Sequence, residues 1–257
     1  MKVPIITYHA IGDVPSPLWT TIETFEAHLA AFANCGYRTT SLANLLNLLR
    51  QGEPLPEDTI VITFDDGYES VYQHARSRLK HYGFTATVFL ITDRCGLTNQ
   101  WHGQPSSVPV ENLLSWEQVQ ELAAEGYEFG AHTRSHLSLP TVLSEVAAAE
   151  MSISQQQIQT QIGQDIRVFA YPYGAINSVI TQLTQQYFDG AVGTDLGFVN
   201  SATDPYLLNR IDAYYISPVW ISHLHGFSFQ QYLNLRQILR FLKRRFYPDW
   251  QPITTKD

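Results

Sequence analysis

Apolar residues along this chain follow two alternating rhythms, short continuous runs and longer stretches with apolar positions three and four apart. Val3–Tyr8, Thr59–Phe64, Thr85–Ile91, Tyr127–Ala131 and Arg167–Ala170 are short, rich in β-branched and aromatic residues, and predict strands; Tyr37–Thr40 extends as well. Helices are predicted between them. Phe25–Asn34 is closed by Gly36, Ser41 caps a helix through Arg50, and a third runs from about Tyr68 to Tyr82 with Gly83 after it. Ser115 caps Trp116–Glu125, and two more helices fall near Thr141–Ile162 and Asn177–Tyr187. Repeated βα units imply an α/β protein with a mostly parallel sheet, and at least six such units in 257 residues favour a closed or partly closed (β/α) barrel over an open sheet.

In such barrels chemistry gathers at the carboxyl ends of the strands. His9 follows the first run, Asp65-Asp66 the run Thr59–Phe64, His132 the run Tyr127–Ala131, and Tyr171-Pro172-Tyr173 the run Arg167–Ala170, so the polar candidates share one rim. His132-Thr133-Arg134-Ser135-His136 places two imidazoles four residues apart, able to face one point. One carboxylate and two imidazoles make an open metal site. The alternative for the acid pair is a helix N-terminus, where carboxylates complement the dipole. Capping uses one acid, and a second carboxylate at the end of a buried run costs several kcal/mol unless a cation is near. Adjacent carboxylates on an extended segment also point apart, so one can ligate while the other is free for proton transfer.

Thr63-Phe64-Asp65-Asp66-Gly67, His132-Thr133-Arg134-Ser135-His136 and Phe169-Ala170-Tyr171-Pro172-Tyr173-Gly174, in that order, resemble the motifs of the polysaccharide deacetylase family, the NodB-homology enzymes of carbohydrate esterase family 4. The opening Ile6-Thr7-Tyr8-His9-Ala10-Ile11 is similar to the branch that deacetylates poly-β-1,6-N-acetylglucosamine. The match runs from about residue 3 to about 212. The resemblance implies a distorted (β/α) barrel and a metal-dependent hydrolase that removes N-acetyl groups from N-acetylglucosamine units of a polysaccharide or oligosaccharide. It makes Asp66, His132 and His136 the ligands of one divalent ion, zinc by expectation, with cobalt, nickel or iron also suited to an oxygen and two imidazoles. It makes Asp65 the general base, the backbone N–H of Tyr173 an oxyanion donor, and His9 the acid for the leaving amine.

Two departures from the family pattern leave alternatives open. The arginine expected before the Pro-Tyr pair is absent, and Arg210 either replaces it or pairs with Asp204 or Asp212. The late Leu-x-His motif is matched only by His223-Leu224-His225, so His225 is the alternative acid to His9. Tyr171, Pro172 and Tyr173 are candidate substrate contacts. The loop Asp93–Leu114 is long enough to be functional, and its Trp101 either stacks on a sugar or pins the loop. Trp19 is a further wall residue or a core anchor.

The chain is expected to form a single domain over 1–257, with 227–257 a basic C-terminal helical extension. In that extension Phe229, Tyr232, Leu233, Leu239, Leu242 and Phe246 recur at helical spacing and Arg236, Arg240, Lys243, Arg244 and Arg245 cluster. Such a helix either packs on the barrel with a solvated basic face or makes a peripheral contact with an anionic membrane. The net charge of −8 disfavours nucleic acid and polyanions and leaves a neutral or cationic glycan as partner. No transmembrane run or signal peptide is read in the sequence, which as written implies a cytoplasmic protein, or an extracytoplasmic one whose leader has been removed. The two cysteines, Cys35 and Cys95, read as core thiols. Two other functions stay in view, a different amide hydrolase on this scaffold and a noncatalytic carbohydrate-binding protein. A glycosidase is disfavoured, because its two carboxyls must stand about 5 to 9.5 Å apart across the sugar.

Overall fold

A computed structural model describes residues 2–222 and 224–246; His223 and the end of the expected extension, 247–257, lie outside the described residues, as do the side chains of Pro218 and Arg244. Seven parallel strands close into a barrel: β1 (Ile5–Tyr8), β2 (Thr59–Phe64), β3 (Thr87–Leu90), β4 (Glu128–Ala131), β5 (Val168–Ala170), β6 (Gly190–Leu196) and β7 (Leu208–Asp212). Each pairs with the next in sequence, and β7 closes on β1 through Ile211↔Ile6 and Asp212↔Thr7. Eight α-helices lie among the described residues: α1 (Ile22–Asn34), α2 (Leu42–Gln51), α3 (Arg76–His81), α4 (Trp116–Ala124), α5 (Ser144–Ile162), α6 (Ser178–Tyr187), α7 (Pro218–Ile221) and α8 (Phe227–Phe246). No helix separates β6 from β7, which distorts the regular βα repeat. Thr21, Ser41, Ser115 and Asn177 each cap a helix through a side-chain oxygen, and Ser115 with Gln118 forms a reciprocal capping box.

Strand alternation builds two cores. Ile6, Tyr8, Ile60, Ile62, Phe64, Val88 and Leu90 face outward into a large cluster with the helices. Ile5, Val61, Phe89, Val168, Val192 and Leu208 form a second cluster joined by Leu42, Leu45 and Leu46, so α2 stoppers one end of the barrel. Glu128 fixes that stopper, its carboxylate accepting the backbone N–H groups of Leu42 (2.8 Å) and Ala43 (2.9 Å) at the start of α2. Phe89 fills so much of the interior that Gly130 beside it admits no side chain: an added Cβ would stand 2.5 Å from its ring. Along β2 and β7 the second set turns polar toward the carboxyl end, from Val61 to Thr63 and Asp65 and from Leu208 to Arg210 and Asp212. The sealed end is apolar and the open end carries the charges.

The structure revises several sequence expectations. The first run is split at Pro4, which lacks an N–H, into Lys2–Val3 and β1. The third helix starts at Val71 with a π-helical turn through Ala75, because Gly67 is left-handed and Tyr68 is held in a bridge to Leu113. Strands β6 and β7 emerge where no strand was expected. Cys35 is exposed beyond α1 and Cys95 is half-buried, so Cys35 is not a core thiol. In α8, Phe229 and Leu233 are buried as expected, but Leu239 (48%), Leu242 (42%) and Phe246 (74%) are exposed, so the expected apolar face does not pack on the barrel along its whole length. Among the described residues no helix is long and apolar enough to cross a membrane.

Candidate active site

Four non-glycine residues among those described have positive φ: Asp66 (67°), Thr133 (66°), His136 (63°) and Tyr173 (60°). All belong to the three sequence motifs. Such backbone costs on the order of 1–3 kcal/mol per residue and persists where the surroundings impose it, so its concentration here marks a site. The bend at Asp66 divides the two neighbouring acids. Asp65 turns toward Arg210 on β7, and Asp66 turns toward the histidines of the loop after β4.

The Asp66 Oδ1 lies 3.4 Å from Nε2 of His132 and 3.4 Å from Nε2 of His136. All three side chains are buried, and their donor atoms lie within 4.8 Å of one another. The 3.4 Å spacing is long for a hydrogen bond. It matches donors about 2.0–2.2 Å from a common ion in a tetrahedral arrangement, which stand about 3.3–3.6 Å apart. His132 Nδ1 lies 2.7 Å from the carbonyl oxygen of Ala170. A carbonyl only accepts, so Nδ1 carries the proton and Nε2 keeps its lone pair for a cation. His136 Nδ1 lies 3.0 Å from the Tyr173 hydroxyl, and burial pushes the His136 imidazole down to about 3, which keeps it neutral. The donor set and its supports fit a divalent ion.

The loop carrying the histidines is tied down by a residue outside the motifs. Glu150 of α5, 6% exposed, accepts hydrogen bonds from the backbone N–H of Arg134, the backbone N–H of Ser135 and the Ser135 hydroxyl, each at 2.9 Å. The one sequence signal for Glu150 is its place on the otherwise small or apolar buried stripe Ala147, Met151, Ser154 and Ile158.

Asp65 is held from the opposite side. Arg210 grips both its oxygens, Nη1 to Oδ1 at 2.7 Å and Nη2 to Oδ2 at 2.6 Å, while Nη1 also donates to Thr63 and Nε to the carbonyl of Gly193. Arg210 is 3% exposed, and its partner is neither Asp204 nor Asp212. Burial raises the Asp65 pKa, but the adjacent guanidinium, helped by His132 and His9, more than reverses this and holds the carboxyl well below its usual range. His9 completes the group, with Nε2 4.0 Å from Asp65 Oδ2.

A cavity of about 290 Å³ opens onto these groups; His9, Asp65, Asp66, His132, His136 and Arg210 all line it. Tyr173 lines it too, and its left-handed backbone is followed by Gly174, where a Cβ would stand 2.1 Å from Thr194 Oγ1. Trp101 is only 6% exposed and packs on His136 with ring centroids 4.5 Å apart, so it pins its loop over the histidine while still bordering the cavity. Tyr171 borders the cavity but donates its hydroxyl to the Tyr206 carbonyl, and Pro172 is buried and lies outside the lining. Trp19 packs on Tyr68 and faces a second cavity of about 360 Å³. His225 does not join the site. Its Nε2 lies 3.1 Å from the carbonyl oxygen of Glu57, at the opposite end of β2 from Asp65, and its ring sits beside Tyr37 and Phe198.

The polysaccharide deacetylase family profile matches residues 52–187, more than half of the chain, and the chain belongs to that family. His9 and Arg210 lie outside the matched segment. The Bacillus subtilis (strain 168) protein YxkH is 29% identical over 211 residues, which span 82% of this chain and 71% of that one. The poly-β-1,6-N-acetyl-D-glucosamine N-deacetylase of Staphylococcus epidermidis is 30% identical over 165 residues, 61% of this chain; the match spans only 52% of that relative's length. Among solved structures, the Streptococcus pyogenes deacetylase PplD in complex with acetate superposes with a TM-score of 0.73 at 28% identity, covering 85% of this chain and 93% of that one.

Proposed function

We propose that this chain is a metal-dependent hydrolase that removes N-acetyl groups from N-acetylglucosamine units of a polysaccharide or oligosaccharide. The observation that supports it most is the split between the acids: Asp66 shares its oxygen with two imidazoles while Asp65 is clamped, ionised, beside the same cavity. Asp66, His132 and His136 would hold the divalent ion, zinc by donor chemistry. When bound, such an ion polarises the amide carbonyl and makes water a better nucleophile.

The chain's own groups then divide the proton traffic. Asp65 accepts a proton at its carboxylate as water attacks the acetyl carbon. Arg210 fixes that carboxylate's orientation and keeps it ionised. The Tyr173 backbone N–H donates to the carbonyl oxygen as it gains negative charge. His9 gives a proton to the nitrogen as the C–N bond breaks, so that acetate and the free amine leave. Trp101 and Tyr173 border the sugar, while Tyr171, 1% exposed and packed on Phe169, supports that wall from behind and Pro172 shapes the turn. The described chain works as one catalytic domain, with α8 as its helical extension. A noncatalytic carbohydrate-binding role is disfavoured, because it gives no reason to keep Asp65, Asp66, His132 and His136 together in buried positions, two of them, Asp66 and His136, on left-handed backbone.

Acetate release from an N-acetylglucosamine tetramer by zinc-loaded protein tests the reading. Release that disappears in Asp65→Asn is expected. No release from amide substrates by the loaded wild-type chain contradicts it.

A further inference from the structure

The two histidines of the metal group are backed differently. Behind His132 stands a main-chain carbonyl, that of Ala170, 2.7 Å from Nδ1. Behind His136 stands a side chain, the Tyr173 phenol, with its oxygen 3.0 Å from Nδ1, and Tyr173 lines the cavity.

The direction of that second bond follows from the ligand set. Nε2 of His136 lies 3.4 Å from Asp66 Oδ1 and is the nitrogen that would face the ion, so it keeps its lone pair and Nδ1 carries the proton. His136 Nδ1–H therefore donates to the phenol oxygen. The Trp101 indole N–H, another neighbour of that oxygen, can only donate as well. The phenol's own hydrogen is then left to give, and among the described residues it meets no acceptor.

The packing keeps the hydroxyl in place. The Tyr173 and Trp101 rings each lie 4.5 Å from the His136 ring, centroid to centroid. The Tyr173 backbone is left-handed, and Gly174 after it sits too close to Thr194 for a side chain. Rotation about the C–O bond is the freedom that remains, and the side left for the hydrogen is the cavity.

We infer that the Tyr173 hydroxyl holds the metal ligand and the glycan at once, accepting the His136 Nδ1–H and donating to an acceptor oxygen of the bound sugar. A pyranose offers hydroxyl, ring and glycosidic oxygens for that bond, while the backbone N–H of the same residue serves the acetyl oxygen. In a chain N–H···O–H···O each bond strengthens the other, so ion and glycan support one another through this one oxygen. The inference rests on the deacetylase reading and deepens it.

Two affinities test it separately from turnover. Tyr173→Phe removes the oxygen and keeps the ring and the backbone N–H, and the metal-free variant should melt within about 4 °C of metal-free wild type. Zinc affinity, measured without glycan by competition with a chromophoric chelator, should fall about 10- to 100-fold. Affinity of the zinc-saturated protein for an N-acetylglucosamine tetramer, measured by calorimetry with Asp65→Asn added to both proteins to stop turnover, should fall about three- to tenfold, the worth of one neutral hydrogen bond. Unchanged zinc affinity overturns the inference, because the phenol is then not what holds His136. So does weaker zinc binding with unchanged glycan affinity, because the hydroxyl then serves the ion alone, and so does a larger drop in melting temperature, which makes its bond a support of the fold. Both affinity losses without acetate release from zinc-loaded wild type would sink the deacetylase reading alone.

Discussion

The loops after β2 and β4 hold Asp66, His132 and His136 on short side chains, with Asp66 and His136 on left-handed backbone, whereas the wall made by β7 and α8 presents Arg210, Arg236 and Arg240 on long side chains from regular structure. The first side fixes position. Its ligand atoms are set by the bend at Asp66, the Ala170 carbonyl behind His132 and the carboxylate of Glu150 behind the histidine loop. The second side fixes charge. Arg210 keeps Asp65 ionised from inside the barrel, and the α8 cations stand farther out, more exposed. On the proposed function, rigid geometry on one side suits an ion that tolerates little displacement, and adjustable electrostatics on the other suit substrates that vary in what surrounds the acetamide.

The comparison breaks most visibly on the rigid side. Asp66→Ala or His132→Ala should abolish stoichiometric metal binding by elemental analysis and bring acetate release to background; full occupancy in either variant would remove that residue from the ligand set. Next come the proton-handling groups. Asp65→Asn should keep fold and metal and lose about 10²- to 10⁴-fold in rate. His9→Phe should lose a comparable factor on the amide and less on an activated ester, whose leaving group needs little protonation. An equal loss on both substrates, or no loss on either, excludes His9 as the acid.

Arg210→Ala tests the electrostatic side. It leaves the Asp65 carboxylate buried without its partner, and should lower stability by about 3–5 kcal/mol in denaturant titration. Adding Asp65→Asn should restore much of that loss, since no charge is then stranded. A single variant as stable as wild type would mean that water already reaches the carboxylate. The smallest effect is expected from Glu150→Gln, which weakens the clamp on the histidine loop. Metal affinity should fall about 10- to 100-fold while secondary structure is unchanged, and unaltered affinity would show that the loop holds itself.

The parts of this molecule that a sequence displays are those encoded locally. Asp65-Asp66, His132 and His136 are visible because strand ends and short spacings put them on one rim, and Ser115 with Gln118 is visible as a cap for the same reason. Strands β6 and β7 are hidden. Gly190, Gly193 and Asp195 interrupt one and Asn209 and Arg210 the other, so neither shows an apolar run, and only closure of the barrel makes Arg210 an interior residue. Its partner could not be chosen among Asp65, Asp204 and Asp212 from spacing, because the contact joins residues far apart in the chain. Glu150 looks like an ordinary helical acid until the histidine loop lies over it. In α8, helical periodicity separates polar from apolar faces but does not distinguish a polar face turned to water from one turned to a charged cleft.

Metal titration of acetate release reaches the central claim most directly. Protein stripped by chelator and refilled stepwise with zinc, assayed on an N-acetylglucosamine tetramer, should regain activity in proportion to bound metal and saturate at one ion per chain. Undiminished acetate release from metal-free protein, or refilling that needs no Asp66, would contradict the account.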